Sequence, residues 1–423
     1  MNLLRIIASM HPASGGPCQG IRNSIPELEK LGVHNEVVCL DDSAETFIKK
    51  DPFLITALGP GKGPWCYNEK LIPWLIDNLY RFDAVIVHGL WLFNGYATYK
   101  AMRYLESNSK KSYNKEKLPK LFVMPHGMLD PYFQHATGRR LKALRNWVYW
   151  KIIESKLISN SNGVLFTSET ELLLAKETFI PYSPKKELNV GYGIPAPPDV
   201  VDVNSDLFFD KFPRLRNSRY FLFLSRIHDK KGVDLLINAY ETIAKTRLVS
   251  SRNSTGKKYS GNTEILQQEE LPLLVIAGPG METTYGQKMQ QLVQNSGHLQ
   301  DVVIFAGMLN GDTKWSAFYN CDAFILPSHQ ENFGIAVVEA LACGKSVLIS
   351  NQVNIWREIE HDGAGLIAAN TQQGTFELLN QWNKMSDDQK TEMSNEAKNC
   401  YERNFAIGPA AKRFCKVMRN LCC

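Results

Sequence analysis

Ten short apolar runs recur along this chain, five before residue 170 and five after residue 219, with helix-length stretches between most of them. They lie near residues 3–8, 35–40, 84–88, 120–124 and 163–167, then near 220–225, 272–277, 302–305, 323–326 and 346–349. A strand that is to pair in parallel with the next needs a crossover of about a dozen residues, usually a helix, and this spacing supplies it twice over. The expectation is an α/β fold of two Rossmann-like parallel-sheet domains. The length agrees, since 423 residues with 44% hydrophobic content exceed what one core usually serves. Between the two sets of runs, residues 191–198 mix Gly191 and Gly193 with Pro195, Pro197 and Pro198 and show no periodicity, as an interdomain connection would. The predicted domains are therefore 1–193 and 199–404, with residues 249–270 as a polar surface insertion.

The segment from Ser328 to Gly344 carries the strongest chemical signal. Glu331 and Glu339 stand eight positions apart around an Asn332-Phe333-Gly334 turn that opens a helix. The first amides of a helix lack intrahelical partners and the peptide dipoles sum to a positive end there, so the amides from Gly334 through Ile335 to Val337 suit a diphosphate. The two carboxylates are then free to accept hydrogen bonds from hydroxyl groups on either side. Ile335, Val338, Leu341 and Ala342 recur at helical spacing, so the segment is also an ordinary amphipathic helix; that accounts for its apolar residues and leaves the two acids open. Arg226 and Lys231 follow the strand-like run Tyr220–Leu224, and ligands of open α/β sheets collect beyond the carboxyl ends of strands. Arginine presents a planar fork to phosphate and lysine a point charge, whereas the plain alternative is a solvated basic turn. Taken together, acids and cations describe a nucleotide sugar.

These residues also carry a family likeness. Arg226 with Lys231-Gly232, Ala277-Gly278-Pro279-Gly280, and Glu331-Asn332-Phe333-Gly334 through Glu339 to Gly344 resemble the donor-site motifs of glycosyltransferase family 4, retaining enzymes of the GT-B fold. A glycine often precedes the arginine in that family, and Ser225 stands there in this chain. The resemblance implies a central cleft, with a terminal helix, about 405–423, crossing back onto the first domain. It implies that Gly15 and Gly16, in the loop after the first strand, face the donor diphosphate. It also implies that His126, in Pro125-His126-Gly127 at a strand end, is the active-site histidine contacting the donor sugar. His88 and Trp91 follow another strand and are the acceptor-side candidates. The catalytic set expected is thus His126, Glu331, Arg226 and Lys231. The donor set adds Gly15, Gly16, Gly278, Asn332, Phe333, Gly334, Ile335 and Glu339.

The resemblance further implies hexose transfer from a UDP- or GDP-sugar to a glycan or lipid-linked saccharide, of the kind that builds exopolysaccharides. A GT-B epimerase, a sugar phosphorylase and a catalytically silent donor-binding partner remain the competing readings. No D-x-D pair is present to hold a metal against a diphosphate, so metal independence and no cofactor are expected. Nine scattered cysteines without a C-x-x-C pair suit a reducing cytoplasm. The net charge of +5 is modest and no nucleic-acid partner is expected. Residues 138–158 read as a helix with Leu141, Leu144, Val148 and Ile152 inward and Arg139, Lys142, Trp147 and Trp150 outward, a basic and aromatic face suited to peripheral contact with the inner, anionic face of a membrane. A solvated helix packed on its domain is the other reading.

Overall fold

The computed structural model describes residues 1–109, 118–135, 139–254 and 271–422. The chain divides into two units, Met1–Pro195 with Asn404–Cys423, and Ala196–Arg403. The division falls inside the glycine- and proline-rich stretch 191–198.

The first unit is built on seven parallel strands, β1 (Asn2–Ile6), β2 (His34–Cys39), β3 (Leu54–Ala57), β4 (Ala84–His88), β5 (Lys120–Met124), β6 (Gly163–Phe166) and β7 (Glu187–Asn189). Their order is β3-β2-β1-β4-β5-β6-β7, so the direction of winding reverses between β1 and β4, where Leu3 pairs with Ala84 and Ile6 with Val87. Alternate residues of the central strands feed two cores. Leu4, Ile6, Val85, Val87, Leu121 and Val123 enter one. Leu3, Ala84, Ile86 and Phe122 enter the other, where the closing helix of the chain supplies Ala411, Phe414, Cys415 and Met418.

The second unit has six parallel strands, β8 (Tyr220–Leu224), β9 (Leu273–Ala277), β10 (Val303–Gly307), β11 (Ala323–Leu326), β12 (Val347–Ser350) and β13 (Gly365–Ala368), in the order β10-β9-β8-β11-β12-β13. Winding again reverses at the middle, between β8 and β11. Both sheets are thus doubly wound, and loops after β1, β4, β8 and β11 flank the reversal points where such sheets gather ligands.

The helices that matter below are α1 (Gly16–Lys30), α2 (Arg140–Tyr149), α3 (Glu169–Thr178), α4 (Gly311–Asn320), α5 (Ile335–Ala342) and α6 (Ile407–Cys422). A π-helical turn, Trp150–Glu154, continues α2. Three strands, β3, β7 and β13, were not foreseen. Each is three or four residues long and lies at or next to a sheet edge, where half-exposed residues such as Glu187 and Asn189 replace a continuous apolar run. Of the polar stretch 249–270, residues 249–254 end the helix Val233–Ser254, and the remainder lies outside the described residues.

The helix around residue 145 corrects the sequence reading. Its supposed inner stripe is solvent-facing, with Leu141 86%, Leu144 60% and Ile152 58% exposed, whereas Trp150, assigned outward, is fully buried. Trp150 stacks on Phe179 with ring centroids 4.8 Å apart and donates from Nε1 to the Pro181 carbonyl at 3.0 Å. An aromatic ring with one N–H that finds an acceptor suits a core, so Trp150 turns inward with Asn146, while Lys142 and Trp147 of the predicted outer face stay exposed.

Candidate active site

In the second unit, three loops at the carboxyl ends of the strands are sewn together by backbone. The Ser225 amide donates to the Ala277 carbonyl (3.1 Å) and the Ile227 amide to the Pro279 carbonyl (2.8 Å), so the arginine loop after β8 runs alongside the glycine loop after β9. Gly278 has φ +135°, and a Cβ there would stand 1.9 Å from the Ser225 carbonyl oxygen. Its role in this unit is to let two main chains touch. On the other side, the Lys230 carbonyl accepts from the His329 amide (2.8 Å) and from the Ser328 hydroxyl (2.9 Å).

That stitching brings Lys231 to Glu331. The ammonium is buried, with the residue only 5% exposed, and Nζ forms an ion pair with Glu331 Oε2. Glu331 is itself fixed, its amide donating to the Gln352 carbonyl and its carbonyl accepting from the Asn354 amide, both at 2.9 Å. Burial pushes the Glu331 carboxyl up, but the charge and hydrogen bond of Lys231 push it further down, and the net effect lies below the usual carboxylate range. The pair is therefore intact at neutral pH and is lost as the pH falls through that lowered value.

Asn332 follows, its amide donating to Glu331 Oε1 at 3.1 Å. Phe333 is buried beneath the turn. Gly334 caps α5 in the left-handed region (φ +76°), a conformation that favours glycine, and the first bond of the helix runs from the Val338 amide to the Gly334 carbonyl at 3.1 Å. The amides of Ile335 to Val337 precede that bond and are available to an acceptor from outside the helix. Glu339, farther along α5, is held by a residue the sequence reading missed. Lys314, on α4, lies 2.8 Å from Glu339 Oε1, with its ammonium 3.9 Å above the Trp315 ring. Glu331 and Glu339 thus head two separate ion pairs. Arg226 is exposed on its loop.

In the first unit, Gly15 (φ +86°) and Gly16 are exposed at the start of α1, and the Tyr192 hydroxyl donates to the Gly16 carbonyl at 2.9 Å. His126 follows β5 and, unusually for a residue with a side chain, sits at φ +54°. The turn is clamped from beneath. Buried Glu171 on α3 accepts the Gly127 amide (2.6 Å), the Thr167 amide (2.8 Å) and the Thr167 hydroxyl (2.6 Å). The signal for it was the Ser168-x-x-Glu171 spacing, which reads as a capping box; Ser168 does cap α3, through the Glu171 amide at 3.1 Å, while the carboxylate is directed to the histidine turn.

His88, an acceptor-side candidate, lies against His126: His88 Nδ1 and His126 Nε2 are 2.9 Å apart, and the rings are stacked at 5.2 Å. Burial, followed by the charge of Arg5, lowers the His126 pKa to about 3. Trp91, the other acceptor-side candidate, packs its ring against Phe179 (5.3 Å), Tyr149 (6.1 Å) and Trp150 (6.4 Å). Its amide donates to Glu154 Oε1 at 2.7 Å.

Two doubly wound parallel-sheet units, with the closing helix returned to the first, make this a GT-B fold. The whole chain superposes on the crystal structure of Anabaena HepE in complex with UDP and glucose, with a TM-score of 0.68 at 17% identity over 99% of this chain and 100% of that one. Residues 204–400 match the family of glycosyl transferases group 1. An uncharacterised glycosyltransferase of Methanocaldococcus jannaschii is 24% identical over 260 residues, which are 56% of this chain and 60% of that protein. The N,N'-diacetylbacillosaminyl-diphospho-undecaprenol alpha-1,3-N-acetylgalactosaminyltransferase of Campylobacter jejuni is 31% identical over 108 residues, 24% of this chain and 28% of that one. The chain spans less than two thirds of the length of these relatives.

Proposed function

We propose that the protein is a retaining hexosyltransferase that moves a sugar from a UDP- or GDP-linked donor to a saccharide or lipid-linked saccharide acceptor, in the synthesis of an exopolysaccharide or other cell-surface glycan. The observation that carries this reading is the buried Lys231–Glu331 pair at the mouth of α5. A lysine kept dry against a carboxylate and beside open helix amides is a preorganised anion site. As the anomeric bond breaks, negative charge gathers on the departing β-phosphate oxygen, and Lys231, Arg226 and the α5 amides lower the barrier by meeting it. Glu331 reads hexose hydroxyls, and Glu339, once released by Lys314, accepts from the ribose. Because fixed cations and amides do this work, the reaction needs no divalent metal, and chelation is expected to leave its rate unchanged.

A thermal-shift series across UDP, GDP and their hexose conjugates tests the binding. A ligand at a hundredfold its Kd adds about 2.7 kcal/mol to the folded state, so the right nucleotide raises the midpoint by several degrees. No shift with any of them overturns the reading. Labelled donor then separates transfer from isomerisation without acceptor and from phosphate-dependent cleavage, and an inverted anomeric product would refute retention.

The acceptor is proposed to be met at an anionic bilayer through the exposed face of α2. Leu141, Leu144, Val148 and Ile152 form an unpartnered apolar stripe, Trp147 is half exposed beside it, and Arg140, Lys142, Arg145 and Lys151 lie exposed within and along it. The only acid of this segment, Glu154, is buried. An apolar stripe within a cationic border complements anionic lipid and lies in the surface plane. Among the described residues no helix is long and apolar enough to cross a membrane. Each basic side chain near such a surface contributes about 1 kcal/mol, so Arg140→Glu/Lys151→Glu is expected to weaken flotation with phosphatidylserine vesicles roughly tenfold or more, and Leu144→Ser/Ile152→Ser to weaken it at equal charge. Unchanged flotation by both variants counts against docking here.

A further inference from the structure

Arg5 is an anomaly in β1, a charged residue 3% exposed between Leu4 and Ile6. Burial lowers its pKa only to about 10, so it remains a cation at neutral pH. Buried charges are usually paired with the opposite sign, yet no carboxylate pairs with Arg5 among the described residues. Its neighbours are neutral: Nε donates to Asn35 Oδ1 at 3.0 Å, the guanidinium stands 5.4 Å from the Phe414 ring centre, and Nη1 lies 3.5 Å from His88 Nε2.

A guanidinium can only donate, so the His88 nitrogen facing it must be the bare one. His88 is 3% exposed, and burial, His126 and Arg5 together hold it neutral, which leaves a single ring proton. That proton sits on Nδ1, 2.9 Å from His126 Nε2, and is donated there. His126 is neutral for the same reasons, so with its Nε2 occupied as an acceptor its own proton is on Nδ1. The second nitrogen of a histidine sets the tautomer of the first, and the order of donors along Arg5, His88 and His126 allows one arrangement.

We propose that Arg5 and His88 are positioning residues that lock His126 in the Nδ1–H tautomer, so that it offers a substrate oxygen a fixed hydrogen-bond donor. His126 then steadies a sugar hydroxyl or a developing negative charge, and it does not take a proton from the acceptor. The substrate part of this statement rests on the transferase reading; the tautomer part does not.

Full-length protein labelled with 15N-histidine tests the lock directly, because a protonated and a bare imidazole nitrogen differ widely in 15N shift. The wild type is expected to show both His88 and His126 as Nδ1–H with bare Nε2 between pH 6 and 8. Arg5→Met should mix the tautomers and lower kcat tenfold or more with KM for the donor little changed, since a wrong tautomer leaves geometry intact and spoils the step. Arg5→Lys, which keeps a buried cationic donor, should restore much of both. A wild-type His126 protonated on Nε2 overturns the proposal, as does Arg5→Met with unaltered 15N pattern and kcat. Should Arg5→Met fail to fold, the wild-type spectrum and Arg5→Lys decide. A correct tautomer pattern in a protein that transfers no sugar would sustain the lock and sink the transferase.

Discussion

Lys231→Met is expected to reduce sugar transfer by roughly two to three orders of magnitude, the loss seen when one preorganised donor to a developing oxyanion is removed. The same change strands the Glu331 carboxylate, which is largely buried and has Lys231 as its cation. Breaking a buried pair from one side costs about 3–5 kcal/mol, and the partial exposure of Glu331 puts this case at the lower end. Activity and stability therefore fall together in the single variant and must be separated. Lys231→Met/Glu331→Leu removes both charges and fills the space with apolar atoms, so its urea midpoint should return toward wild type while transfer stays absent. Glu331→Gln keeps the shape and removes the charge; it should weaken hexose discrimination more than nucleotide binding. If the double variant recovers transfer along with stability, the pair is a structural brace, and the phosphate site lies elsewhere.

Glu154→Gln is expected to make the protein more stable at pH 8 and to leave its stability little changed near pH 5. Glu154 is fully buried in the π-helical turn, and burial pushes its carboxyl up to about 8 against the opposing hydrogen bond from the Trp91 amide. One oxygen accepts that amide, and the other, Oε2, has no hydrogen-bond partner among the described residues. The folded pKa exceeds that of the unfolded chain, so the unfolded state releases its proton first as the pH rises. Stability is then full below about pH 4.5 and declines up to about pH 8, by about 1.4 kcal/mol per pH unit. Glutamine keeps an oxygen for the Trp91 amide and has nothing to titrate. The variant should match the wild type near pH 5 and exceed it by a few kcal/mol at pH 8 in urea unfolding. Parallel pH dependences for the two proteins would mean that Glu154 is ionised in the fold.

Much of this architecture was legible because a buried parallel strand announces itself as an unbroken apolar run. All ten runs became strands, and the edge strands β3, β7 and β13 escaped because half-exposed strands carry no such signal. At the candidate site, residue types in a motif were readable and partnerships across the chain were not. Lys231 and Glu331 are 100 positions apart, and the pairing of β8 with β11 and the hydrogen bonds of Lys230 with Ser328 and His329 bring them together. Lys314 had no local signal at all. Arg5 had one, a lone cation inside an apolar run, and its meaning depended on His88 lying on the neighbouring strand. Periodicity failed at α2 because it reports which face is apolar, and the more apolar face is here turned to the solvent.

Since α6 completes the core on which Leu3 and Phe122 also draw, the second unit is an insert within the first. During synthesis the inserted unit has all of its residues before the host has its closing helix. The ordinary order of assembly, amino-terminal part first, is thereby reversed, and a released chain truncated after residue 403 should present a protease-resistant second unit beside a first unit that is still digestible.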